Sequence, residues 1–222
     1  MKRVLVGCEY SGTVRDTFSL KGWDAWSCDL LPTESELTKQ EGKHYQCDIF
    51  DVLYQDWDLL IAHPPCTYLS YSGNAFWDNP GRISKRLEAL DFFRMLWEAD
   101  IPHICLENPK SCASPVIAKY TQSIQPYYFG DASIKTTWLW LKNLPKLEYS
   151  EETNLFKERT SVMPQKYFCN SGKTKDILKR FGTTEGKRGL CGSHNRSKFH
   201  KGITNAMAEQ WTEYFDNKLK LQ

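Results

Sequence analysis

Trp57-Asp58-Leu59-Leu60-Ile61-Ala62-His63-Pro64-Pro65-Cys66 decides the fold of this chain. Residues 59–62 are apolar without alternation, the pattern of a strand covered on both faces. Pro64 and Pro65 fix the backbone and withhold amide donors, so the strand stops and the turn presents Cys66 rigidly. Outward from this strand, residues 2–7 form another compact apolar strand, and 12–20 follow with helical spacing at Val14 and Phe18. Residues 24–30 and 44–49 read as two more strands and 102–106 as a fifth. The stretch 82–99 is the strongest helix, with Leu87, Leu90, Phe93, Met95, Leu96 and Trp97 supplying a broad apolar stripe. A short helix over 113–120 and a strand pair over 123–129 and 136–142 complete the pattern. Strands alternating with helices through short connections indicate an α/β fold, a parallel sheet with helices on both faces.

Beyond Pro145 the pattern changes. Residues 1–150 carry 15 Lys/Arg against 19 Asp/Glu, and residues 151–222 carry 14 against 8, so the net charge of +2 is the sum of −4 and +6. Within 157–201 the balance is 12 to 3, in a Gly- and Ser-rich stretch with little periodicity. Such a concentration points to a polyanion surface rather than a solvated face. Residues 202–220 return to helical spacing, with Ile203, Ala206, Met207, Trp211 and Phe215 in register. This divides the chain into a sheet domain over 1–147, a small basic insertion over 148–200, and a C-terminal helix over 201–222 that is expected to pack back on the sheet domain.

The composition, 41% apolar and 25% charged, is that of a globular protein. Its longest apolar runs fall far short of the ~18 residues that cross a bilayer. With no leader-like opening, the chain is expected to be cytoplasmic and to have no membrane partner. Eight cysteines in such a chain read as reduced thiols. Cys191 and His194 make one Cys-x-x-His half of a metal site, but Cys169 and His200 lack a paired spacing, so no metal is expected. Tyr167, Phe168, Phe181 and Phe199, interleaved with Lys and Arg, serve either as base-stacking groups or as contacts inside the insertion.

In open parallel sheets ligands bind at the carboxyl ends of the strands. Those ends carry Gly7-Cys8-Glu9-Tyr10-Ser11-Gly12, Asp29, Asp48, His63-Pro64-Pro65-Cys66 and Glu107-Asn108-Pro109. Acids at the first three tips suit a ligand with ribose hydroxyls and an amino group better than a pyrophosphate, and the NAD fingerprint is absent. A Cys pushed to the sheet edge near a helix amino terminus has the setting of a thiolate nucleophile.

An opening Gly turn, strand-end acids, Pro64-Pro65-Cys66 and then Glu107-Asn108 resemble the DNA cytosine-5 methyltransferase family. More narrowly, residues 57–70 and 139–145 resemble the short phage-borne cytosine methylase-like proteins. The resemblance implies a Rossmann-like S-adenosylmethionine-dependent methyltransferase sheet acting on DNA, with the cytosine flipped from the duplex. It implies Cys66 as nucleophile on carbon 6 and Glu107 as the group facing ring nitrogen 3. S-adenosyl-L-methionine would lie over Gly7, Cys8, Glu9, Ser11 and Gly12, with Asp29 on the ribose, Asp48 on the adenine amino group and Pro64 alongside. Pro65, Asn108, Lys135 and Arg196 fall to the substrate. The family's Gln-x-Arg-x-Arg stretch is met here only by Lys135-Thr136-Thr137, and Pro109 follows Glu-Asn where Val is customary. Two alternatives stay open: the same chemistry on a free cytidine nucleotide, and an idle relative that masks DNA. A role in shielding phage DNA from restriction is implied by the resemblance.

Overall fold

The computed structural model describes residues 1–76, 78–151, 159–163, 166–168, 176–178 and 200–220. Seven strands form the main sheet: β1 (Arg3–Gly7), β2 (Asp24–Cys28), β3 (His44–Tyr45), β4 (Leu59–Ala62), β5 (His103–Pro109), β6 (Gln122–Ile124) and β7 (Thr137–Lys142), in the order β3-β2-β1-β4-β5-β7-β6. β1 pairs in parallel with β2 and β4, β2 with β3, and β4 with β5. β7 instead runs antiparallel to β5, placing Leu139 opposite Glu107 and Trp138 opposite Asn108. The expected parallel sheet is thus mixed at β7, since side-chain periodicity reports which faces are buried, not which way a strand runs.

The central strands are apolar throughout because both their faces are covered. Val4, Leu5 and Val6 of β1 and all of β4 have no exposure. The flanking helices are α1 (Thr13–Leu20), α2 (Glu36–Glu41), α3 (Arg82–Trp97) and α4 (Ala113–Val116). Phe93 of α3 meets Trp140 of β7 edge to face, 5.0 Å between centroids, over Leu60, Ile104 and Leu106. The Trp140 indole donates to the Ala118 carbonyl at 2.6 Å, which removes the cost of burying its N–H. The α3 stripe is narrower than expected. Phe93 and Leu96 are buried, Leu90 and Trp97 pack against the core, and Leu87 and Met95 face outward.

α2 has no apolar stripe and is held by polar groups instead. Ser35 Oγ accepts from the Thr38 amide at 3.0 Å as its N-cap, and Gly42 ends it in the left-handed region. Thr38 Oγ1 and Ser35 Oγ both donate to Asp16 of α1. The strand expected over 123–129 stops at Ile124, since Pro126 cannot extend a ladder, and residues 126–129 form a 3₁₀ turn. The helix expected over 113–120 closes at Val116.

The chain divides into two compact units, Met1–Ser123 with Thr137–Lys146, and Ile124–Thr136 with Leu147–Gln222. In the second, α5 (Lys201–Lys220) packs on the 3₁₀ turn of residues 126–129, with Ile203, Met207, Ala208 and Trp211 buried. Gln210 and Glu148 exchange two hydrogen bonds of 2.8 Å, and Asp131 accepts from the Gly202 amide at 2.9 Å. A hairpin unseen in the sequence, β8 (Lys166–Phe168) and β9 (Asp176–Leu178), pairs antiparallel in the basic stretch. Among the described residues no helix is long and apolar enough to cross a membrane.

Candidate active site

The site lies where the parallel strands end. After β1, Cys8 takes a positive φ of 57° and Gly12 one of 71°, so the chain turns tightly into α1. A side chain at Gly12 would meet Ser35 Cβ at 2.4 Å besides being strained there. Glu9, 4% exposed, lies beneath this turn. Its Oε1 accepts from the Val14 amide at 2.7 Å and from Ser11 Oγ at 3.2 Å, and its Oε2 accepts from the Arg15 amide at 3.1 Å. Burial pushes the Glu9 carboxyl above the usual carboxylate range, against the opposing pull of His63 and of these amides.

Glu9 therefore caps the first turn of α1. Its carboxyl fills the place where a nucleotide phosphate would sit in many α/β folds, at the helix amino terminus. A pyrophosphate cofactor does not fit there. Ser11 Oγ and the first amides of α1 bond within the same turn, beside Gly7, Cys8 and Gly12.

The tips of β2 and β3 provide the acids. Asp29 is half-buried and accepts from the Leu31 amide at 2.9 Å through Oδ1. Asp48 is exposed and accepts from the Phe50 amide at 3.0 Å through Oδ1. Both carboxylates bear on Cys8, whose thiol burial and these two charges push well above its ordinary value. The apolar Ile49 and Phe50 adjoin Asp48, and Ile49 Cδ1 stands 2.1 Å from where a Cβ on Gly7 would be. Two acids beside an apolar wall, with no anion subsite at α1, fit a nucleoside with free ribose hydroxyls and a cationic or neutral tail. S-adenosylmethionine has that chemistry.

After β4 the chain enters the turn that carries the nucleophile candidate. Pro64 is buried, while Pro65 and Cys66 are exposed. The Cys66 carbonyl accepts from the Leu69 and Ser70 amides at 3.2 and 2.9 Å, folding 66–70 into a helical turn. Two arginines of α3 hold it: Arg82 Nη2 donates to the Thr67 carbonyl at 2.9 Å and Arg86 Nε to the Tyr68 carbonyl at 2.8 Å. Arg82 also lies 4.8 Å over the Tyr68 ring. The sequence reading missed both, since an Arg at the start of a helix carries no signal of a distant carbonyl.

β5 carries Glu107 and Asn108 beside this turn, one and two residues past the Ala62–Leu106 pair. Asn108 Nδ2 donates to the Pro64 carbonyl at 2.8 Å, joining the two strand tips. Glu107 is 7% exposed, and its Oε2 lies 3.4 Å from His63 Nδ1. Further along, Tyr71 and Cys112 amides donate to the Lys110 and Leu69 carbonyls, so the loops after β4 and β5 pair with each other.

Among the described cysteines, exposure separates one from the rest. Cys66 is exposed, whereas Cys28, Cys105 and Cys112 are buried. Burial holds the Cys105 thiol well above its ordinary value, burial and Cys47 push Cys28 up to about 12, and burial raises Cys112. Thiols so raised stay protonated and are poor nucleophiles.

The strand order, parallel but for the reversed β7, is that of an open Rossmann-like α/β sheet. No family model matches the chain, and no curated protein matches it. Solved structures similar to it include a DNA modification methyltransferase encoded within an E. coli prophage, 15% identical with a TM-score of 0.45 over 73% of this chain and 53% of that one. The S. pombe Dnmt2 methyltransferase is 18% identical with a TM-score of 0.46, covering 72% and 57%. The Entamoeba histolytica methyltransferase EhMeth is 15% identical with a TM-score of 0.44, covering 73% and 57%. The chain spans a little over half the length of each.

Of the remaining substrate candidates, Lys135 is half-buried in the second unit. Arg196, Cys169, Cys191, His194, Phe181 and Phe199 lie outside the described residues. Among the described residues no group of His, Cys, Asp and Glu is placed to hold a metal.

Proposed function

We propose that this protein transfers a methyl group from S-adenosylmethionine to carbon 5 of cytosine in DNA. The observation that carries the reading is the joined pair of strand tips: an exposed Cys66 on a proline-fixed turn, bound through Pro64 and Asn108 to the strand that bears buried Glu107. A thiol and an acid so placed can act together on a pyrimidine ring. Cys66 Sγ bonds to carbon 6, the ring electrons shift toward nitrogen 3, and Glu107 gives that nitrogen a proton. Carbon 5 is thereby made an enamine carbon able to attack an electrophile.

When bound, S-adenosylmethionine supplies an electrophilic methyl group on a sulfonium. Asp29 and Asp48 are the residues to hold its ribose and adenine amino group, with Gly7, Cys8 and Gly12 shaping the turn and Pro64 alongside. Glu9 keeps the amino terminus of α1 capped. After transfer, nitrogen 3 returns its proton to Glu107, the proton on carbon 5 leaves to water, and the carbon 6–sulfur bond breaks to free Cys66.

A target within a duplex must be swung out to reach Cys66. The +9 balance of 157–201 supports a phosphate-backbone contact there. The test is nucleoside mass analysis of DNA from cells without cytosine methylation, expressing this protein or its Cys66→Ser variant. The reading expects 5-methylcytosine with the first and none with the second. A soluble wild type that leaves DNA unmodified but methylates free dCMP would move the substrate to the nucleotide, and inactivity on both would refute the chemistry.

A further inference from the structure

His63 has no part in the reaction as set out above, yet it occupies a telling position. It is the first residue after β4, and its amide donates to the Gly7 carbonyl at 3.0 Å, carrying the β1–β4 ladder one step further. Its side chain is 12% exposed and that of Glu107 8%. Two carboxyls lie beside it: Glu107 from β5 at 3.4 Å, and Glu9 from the turn after β1, near enough to interact with it electrostatically. Buried Cys105 is the further titratable neighbour on β5, next to Glu107.

We infer that His63 is a positioning residue that fixes which oxygen of Glu107 carries the proton given to the cytosine ring, an inference that rests on the function proposed above. A protonated carboxyl has one oxygen that donates and one that accepts. With Nδ1–H of His63 directed at Oε2, Oε2 is the accepting carbonyl oxygen and the acid proton belongs on Oε1. The Glu107 acid is then aimed before substrate arrives. As the Cys66 Sγ–carbon 6 bond forms, the electron pair of the carbon 4–nitrogen 3 double bond moves onto nitrogen 3, which takes the Oε1 proton. Glu107 becomes a carboxylate, and the Nδ1–H bond to Oε2 becomes charge-assisted. That contact is stronger in the transition state than before it, which is the condition for it to accelerate the step. The proton returns to Oε1 when the double bond re-forms, so the pair ends as it began. A length of 3.4 Å is long for such a bond, as catalytic hydrogen bonds often are before substrate binds.

Two measurements test this, one of them without substrate. In the ¹⁵N spectrum of histidine-labelled protein, with His63 assigned by its loss in His63→Gln, the wild type is expected to show the Nδ1–H tautomer. Glu107→Ala should move it toward Nε2–H; a tautomer indifferent to Glu107 would overturn the inference. The second is methyl transfer by His63→Ala. The expected loss in kcat is on the order of 10- to 100-fold, at the low end of general acid contributions, with little change in KM for DNA. Added imidazole should restore part of it, where a salt of equal ionic strength should not. Undiminished kcat, or a loss carried by KM and untouched by imidazole, would mean a structural role only. A wild type that transfers no methyl group refutes the proposed function, and the tautomer readout then still decides the Glu107 contact.

Discussion

Replacing Glu9 by glutamine asks whether the turn after β1 needs a carboxylate. Three donors converge on that side chain: the Val14 amide and Ser11 Oγ on Oε1, and the Arg15 amide on Oε2. Glutamine keeps the first oxygen but sets an NH₂ group against the Arg15 amide, donor facing donor. A buried amide so stranded costs about 1–3 kcal/mol, and the lost charge at the helix amino terminus adds roughly 0.3–1 kcal/mol. Since each kcal/mol moves the melting point of a chain this size by about 2–4 °C, the drop at neutral pH should be several degrees.

The pH dependence sharpens the test. Burial raises the Glu9 carboxyl above its unfolded value, so the folded state holds that proton more tightly. The stability this contributes is complete below the ordinary Glu range and is lost as pH rises through the folded value. The variant lacks this dependence, so the gap between the two proteins should be widest at the acid end and narrow toward neutrality. Paired thermal melts at steps from pH 4 to pH 8 measure it. A variant as stable as the wild type throughout would refute the capping account, and a gap that widens with rising pH would refute the raised carboxyl.

Three further outcomes are expected. Glu107→Gln should slow methyl transfer by on the order of 10²-fold or more, as loss of a transition-state stabiliser does, with cofactor binding by calorimetry unchanged. Arg86→Ala removes the bonds to the Tyr68 carbonyl and to Asn74 Oδ1 at 2.8 and 2.7 Å, and limited proteolysis should then cut within 66–76 faster than in wild type. Gly7→Ala sets a methyl 2.1 Å from Ile49 Cδ1, an overpacking worth about 1–3 kcal/mol, readable as a lowered urea midpoint together with weaker cofactor binding.

The apolar runs made β1, β4 and β5 legible, because strands covered on both faces have no alternation to obscure. What escaped was held by polar or directional effects. α2 spells Glu-Leu-Thr-Lys-Gln-Glu and owes its helix to Ser35, Asp16 and Gly42, partners that periodicity does not register. Leu87 and Met95 count as apolar by type yet face outward, since α3 needs only the arc through Leu90, Phe93 and Leu96 to cover its sheet. At the site, the Pro-Pro-Cys turn and the Glu-Asn pair were visible as residue types. Their connection through Asn108 and the Pro64 carbonyl belongs to the register of β4 against β5. Glu9 shows the opposite case, an acid at a strand end that turns inward to cap the next helix, five residues before Val14.

The placement of β5 between β4 and the reversed β7 gives the two candidate reacting groups unequal stiffness. Glu107 sits inside a ladder, opposite Leu139, with Asn108 opposite Trp138, so its backbone shifts only if the sheet itself opens. Cys66 stands outside any ladder, on a turn held by two arginine–carbonyl bonds and by the Leu69 and Ser70 amides on its own carbonyl. The acid is thus a stationary reference, and whatever adjustment an incoming base requires falls to the thiol. Hydrogen exchange would display the contrast directly: ladder amides of β5 surviving for hours while those of the Cys66 turn are lost early.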